Sequence, residues 1–245
     1  MVRTFLNFSL LLFFSHASLA ECTINKDLLG AKYNVIISQA DTDQQSPREL
    51  VLWRNGIQVA HEYKDNRITE LWEQSRTGSL RLERHFDDYQ RGIEYQPSEI
   101  NNGRGVTDWS QKYQLVSKNL IASMQLDATH GEGCDKLEIY LLKRGDTSIT
   151  LEWLPNQQLV KSFKEQNPSR TIVWELQETI TGADEVRAAF STRAAYQTTD
   201  YADIGDNESD PFFLKMMNLG FIAHGASGFY DADGHRLDGH HQHRH

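Results

Sequence analysis

A mainly β fold of the α+β class, two antiparallel β-meanders separated by a helix, is predicted by three features of this sequence. Hydrophobic runs of strand length recur along the body, Asn, Gly and Pro turn signals punctuate them, and helical spacing is confined to a few stretches. Five Trp, nine Tyr and eleven Phe in 245 residues supply apolar surface for a sizeable core and exclude disorder of the whole chain.

The chain opens with MVRTFLNFSLLLFFSHASLA, in which Arg3 supplies positive charge, Phe5 to Phe14 an apolar core and Ala17-Ser18-Leu19-Ala20 a small-residue cleavage site. This reads as a secretory signal over residues 1–20, cut after Ala20, with the product periplasmic or secreted. The apolar run is shorter than the roughly 20 residues a membrane-spanning helix needs, and no later segment comes close, so no transmembrane segment is expected. Glu21 stands where a bacterial lipid-attachment box has a small residue, which argues against acylation of Cys22. Cys22 and Cys134 are the two cysteines of the chain, and an even pair in an exported protein reads as one disulfide. Removing Arg3 leaves 24 Lys+Arg against 34 Asp+Glu, a formal charge of −10 that makes nucleic acid an unsuitable partner.

The first meander begins with ELVLWRNGIQVAHEY, two strand-like runs around Asn55-Gly56, a pair that tolerates the positive φ of a tight hairpin. KDNRITELWEQ follows with Ile68, Glu70 and Trp72 on one face and Thr69, Leu71 and Glu73 on the other, an imperfect alternation. SLRLERHF and RGIEYQP continue it, with Gly78 and Gly92 near turns. Next, VTDWSQKYQLVSKNLIASM places Trp109, Tyr113, Val116 and Leu120 on one side of an amphipathic helix capped by Thr107 or Asp108. The second meander carries turns at Arg144-Gly145-Asp146 and Asn167-Pro168-Ser169. TGADEVRAAFSTRAAY is expected to be helical from Thr181, and Asp210-Pro211 to cap a short helix containing Phe212, Phe213, Met216 and Met217. The organisation expected is a signal (1–20), a β-rich domain (21–199) and an acidic segment with a short helix and a His-rich tail (200–245).

Enzyme signatures are missing. GASGF lacks the spacing of a nucleophile elbow, His61-Glu62 is followed by Asp65 where a second histidine would be needed, and no glycine loop suits phosphate. Asp87-Asp88 and Asp184-Glu185 read as solvated acids at turns or helix starts, and His85 as a surface strand histidine. Asp206, Glu208 and Asp210 alternate like a calcium loop, but Pro211 and Met217 replace the required glycine and glutamate.

The runs VLWRNGIQVAHEY, ITLEWLP followed by QLVKSFKEQN, and RTIVWELQETI resemble the LolA/LolB-like periplasmic carrier family over roughly residues 33–180. That resemblance implies a half-open antiparallel barrel or curved sheet whose helices plug an apolar cavity. It further implies lining residues such as Trp53, Trp72, Trp153 and Trp174, an apolar ligand, and a periplasmic or outer-membrane protein as partner.

The C-terminal stretch HGASGFYDADGHRLDGHHQHRH points elsewhere. Six of the nine histidines beyond the signal, His224, His235, His240, His241, His243 and His245, fall within it, beside Asp231 and Asp233. Neutral imidazoles bind Cu, Zn and Ni, and neighbouring carboxylates add ligands or fix the second ring nitrogen. The sequence reading is therefore a non-enzymatic exported binding protein that handles a transition metal through its tail, or alternatively a LolA-like carrier of lipid, lipoprotein or another apolar ligand with no metal role.

Overall fold

The computed structural model describes residues 22–40, 45–100, 108–207 and 209–222. The first meander comprises β1 (Leu28–Gln39), β2 (Gln45–Asn55), β3 (Gln58–Tyr63), β4 (Ile68–Gln74), β5 (Leu80–Phe86) and β6 (Arg91–Tyr95). Helices α1 (Trp109–Gln114) and α2 (Lys118–Ser123) lead to β7 (Gln125–His130), β8 (Leu137–Arg144), β9 (Thr147–Leu154), β10 (Leu159–Gln166) and β11 (Arg170–Ile180). Then come α3 (Ala183–Ala194), β12 (Gln197–Asp200) and α4 (Pro211–Asn218).

All twelve strands form one open, curved sheet in the order β12-β6-β5-β4-β3-β2-β1-β11-β10-β9-β8-β7. The two meanders fuse because β1 pairs antiparallel with both β2 and β11, and among the described residues only the β12–β6 pairing is parallel. The expected mainly β architecture is therefore present as a curved sheet that does not close.

Alternation along β1 sends Leu29, Ala31, Tyr33, Val35 and Ile37 to one face, where α1 and α2 pack over them. The same face carries Trp72, Leu82, Ile93 and Tyr95 farther along, covered by Phe212, Phe213 and Met216 of α4. Trp109 of α1 touches both clusters. On the opposite face, Val186, Ala189 and Phe190 of α3 rest on Val51, Trp53 and Ala60.

Several local expectations are corrected. The stretch around residue 115 is two short helices, because Leu115 turns left-handed (φ 66°) and Ser117 starts α2 by accepting a hydrogen bond from the Leu120 N–H. Asp108, one of the two expected caps, does accept from the Ser110 N–H and caps α1. Asn55 ends β2 and pairs with Gln58, so the hairpin loop is Gly56-Ile57 with Gly56 at φ 64°. Gly182 occupies the cap position of α3 in place of Thr181. Gly92 lies inside β6, where a Cβ would stand 3.0 Å from Thr198 Oγ1 and 3.2 Å from His85 Nδ1. His85 is buried, not on the surface, since it faces that same crowded contact with β12.

Candidate functional site

Arginines fasten the helices to the sheet. Arg54, fully buried at the end of β2, donates from Nε to the Tyr113 carbonyl, from Nη1 to those of Lys26 and Gln157, and from Nη2 to that of Gln158. Its guanidinium also lies 4.0 Å from the centre of the Tyr113 ring. One side chain thus ties the N-terminal segment, the end of α1 and the β9–β10 turn together. On the α3 face, Arg193 makes a two-pronged bond to Asp87 and a further one to Glu62, whose other oxygen accepts from Trp53 Nε1 at 2.8 Å. Burial opposes ionisation of Glu62, but Lys64, Arg193 and the Trp53 indole outweigh it and hold the carboxyl below its ordinary range.

On the α1 face, the register places Leu52, His61, Glu70, Arg84 and Ile93 side by side across β2 to β6. These polar groups are sealed and partnered. His61 donates from Nε2 to the Lys112 carbonyl at 2.7 Å, and Arg84 Nη2 bonds Glu70 at 2.9 Å. Burial, then the Lys112 charge, pushes the His61 pKa down to about 3, so the ring is neutral. The imperfect alternation read in ITELWEQ is thereby explained: Glu70 faces the core because Arg84 meets it there.

The other half of that face is a different surface. Register aligns Trp174 of β11, Phe163 of β10, Leu151 of β9, Tyr140 of β8 and Leu126 of β7 in one uninterrupted apolar row. Leu151 is fully buried, Trp174 and Tyr140 are half-buried, and Leu126 is 50% exposed. Leu142, Ile149 and Leu176 widen the row and are also only partly buried. Phe163 and Trp174 meet with ring centres 5.4 Å apart. The Trp174 indole N–H is buried without a hydrogen-bond partner among the described residues. Charges stand at the borders: Lys136 pairs with Glu138, which also accepts from the Tyr140 hydroxyl, and Arg170 pairs with Glu165. Burial first, then Glu138, pushes the Tyr140 pKa up to about 12, so the phenol stays protonated.

Of the four tryptophans expected to share a lining, Trp153 and Trp174 belong to the cluster under α1 and α2. Trp72 lies in the α4 cluster with Lys112 Nζ 3.8 Å from its ring centre, and Trp53 lies on the opposite face under α3. The Cys22–Cys134 disulfide is formed. His224, His235, His240, His241, His243, His245, Asp231 and Asp233 lie outside the described residues, as does the signal. Among the described residues no group of three or more His, Cys, Asp or Glu is arranged to hold a metal ion, and no helix is long and apolar enough to cross a membrane.

Sequence reasoning missed Leu126, Tyr140 and Phe163. The run LEIYLLKR is apolar at both parities, so its face could not be assigned, and bulges at Leu126/Ala128 and Val160/Ser162 shift the register. Only SITLEWL, with Ile149, Leu151 and Trp153 alternating, carried a readable signal.

No family model and no curated protein matches this sequence. Solved structures similar to it include PNGF-II, at 9% identity and TM-score 0.36 over 70% of this chain, which spans 31% of that protein's length. A Vibrio parahaemolyticus domain described as an outer membrane lipoprotein-sorting protein matches at 8% identity and TM-score 0.36, over 69% of this chain and 92% of that one. A LolA superfamily protein from Nitrosomonas europaea matches at 8% identity and TM-score 0.27, over 63% and 86%.

Proposed function

We propose that this chain is an exported, non-enzymatic carrier that holds an acyl-bearing ligand on the apolar row from Trp174 to Leu126. It is supported by the way this row continues the core out to the edge strand: Phe163 and Leu151 are buried, but Tyr140, Leu142 and Ile149 are only half-covered and Leu126 is exposed, while the neighbouring half of the same face is sealed. An acyl chain laid on Ile149, Leu142, Tyr140 and Leu126 would remove apolar area from water at about 25 cal/mol per Å². The disulfide suits an oxidising, extracytoplasmic compartment. Titration of the chain with a fluorescent acyl probe, competed by unlabelled fatty acid, tests this: saturable, competable binding is expected, and its absence overturns the reading.

The six tail histidines support a second reading, in which residues 224–245 bind Cu, Zn or Ni. Calorimetry comparing residues 21–245 with a chain ending at Gly234 decides it: submicromolar binding lost on truncation supports the tail site, and equal or absent binding rejects it.

A further inference from the structure

The disulfide does more than close a loop. In the sheet, β1 and β8 are separated by three strands, β11, β10 and β9. Cys22 precedes β1 by only a few residues, whereas Cys134 lies just ahead of β8, and their Cα atoms are 4.4 Å apart. Residues 22–27 therefore form a strap drawn across the end of the wing β9–β11, on the face that carries the apolar row. Four strand spacings amount to about 19 Å, and six residues reach at most roughly 20 Å. The Leu28 N–H bonds the Asn25 carbonyl at 3.1 Å, so residues 25–28 are folded into a turn and the strap falls short of the flat spacing, a difference taken up by the curvature of the sheet.

It is also coupled to the helices. Ile24 packs into the cluster under α1 and α2. The Lys26 carbonyl accepts from Arg54 and from the Tyr113 hydroxyl of α1, which also bonds Asp27. At the far side, Gln157 donates to the Cys134 carbonyl while its own carbonyl accepts from Arg54. Cys22, Cys134, Gln157, Arg54 and Tyr113 thus form one continuous linkage from the disulfide to α1. Both cysteines are partly exposed, flanked by exposed Thr23 and Asp135.

We propose that the Cys22–Cys134 bond is a redox-sensitive strap that holds the β8–β11 wing curled against α1 and α2, so that its reduction widens the apolar face. The reductant is a dithiol. One of its thiolates attacks a cysteine sulfur to give a mixed disulfide, and its second thiolate resolves that bond, leaving two thiols here and a disulfide on the dithiol. Two electrons and two protons pass to this chain. Widening as a change in ligand hold rests on the carrier reading; the strap itself does not.

The test compares the oxidised full chain, the same chain reduced by dithiothreitol, and the Cys22→Ser, Cys134→Ser double variant. Hydrogen exchange is read at residues 109–123 and 137–154 against residues 58–95, together with release of a fluorescent acyl probe. The strap predicts exchange at least tenfold faster at 109–123 and 137–154, little change at 58–95, reversal on reoxidation, and faster probe release. Unchanged exchange, or equal acceleration in both halves, overturns the strap. Selective exchange with unaltered probe release overturns the widening. Selective exchange in a protein that binds no probe in either state removes the carrier reading and leaves the strap standing.

Discussion

Two rows on one face of the sheet invert the usual placement of polar and apolar groups. Across β2 to β6 the row contains His61, Glu70 and Arg84, all buried; across β11 to β7 it contains half-buried Trp174, buried Phe163 and Leu151, half-buried Tyr140 and exposed Leu126 at the edge. The difference lies in what covers each. Helices α1 and α4 seal the first row, and the Lys112 carbonyl of α1 and the Phe221 carbonyl just beyond α4 accept from its polar groups. Toward the edge, the second row has no helix of comparable cover among the described residues. Burial here follows helix placement, and the outer part of the apolar row, Tyr140 to Leu126, is where the proposed ligand would lie.

The sharpest way to break this contrast is to remove one partner from each sealed charge group. Glu70→Ala leaves the buried Arg84 charge without its carboxylate and is expected to cost about 3–5 kcal/mol, measured by urea unfolding. Arg54→Met leaves four carbonyls short of a donor, and a loss of similar size is expected, with α1 exchanging faster by hydrogen exchange. A variant of either kind that unfolds like the parent would show that the first half is not sealed.

Acid separates the halves next. His61 is neutral in the fold but takes a proton near pH 6.5 when unfolded, so its contribution is complete above pH 6.5 and declines as pH falls toward about 3. Glu62, held below its ordinary value of 4.5, keeps its stabilising effect above that pH and loses it at lower pH. Stability should therefore decline from pH 6.5 downward, and His61→Asn should flatten the part between pH 6.5 and 4.5. An unaltered slope in that variant would contradict the buried, neutral assignment.

The smallest effect belongs to the helix that borders the apolar row. Ser117→Ala removes the cap of α2 and should cost about 1 kcal/mol in thermal unfolding. A much larger loss would mean that α2 is more deeply integrated than its exposed residues indicate.

How much of this was legible in the sequence depended on pairing that is local. The turns at Gly145-Asp146 and Asn167 to Ser169, the Asp210 cap of α4 and the Cys22–Cys134 bond could be read because each is specified by a few adjacent residues or by a simple count. The β1–β11 pairing that fuses the two meanders could not, since its partners are more than a hundred residues apart. His85 reads as a surface residue from its charged neighbours, and only the approach of β12 buries it. The apolar row was hidden for the same reason: its five members come from five strands, and their alignment depends on bulges.

The most direct test of the central claim is a paired measurement on Trp174→Ala, urea stability together with acyl-probe affinity. The account predicts a stability loss within about 1.5 kcal/mol, below the 3–5 kcal/mol typical of a fully buried Trp, together with probe affinity reduced tenfold or more. A loss of full core size with probe binding unaltered would show that the row is ordinary core and that the ligand face lies elsewhere.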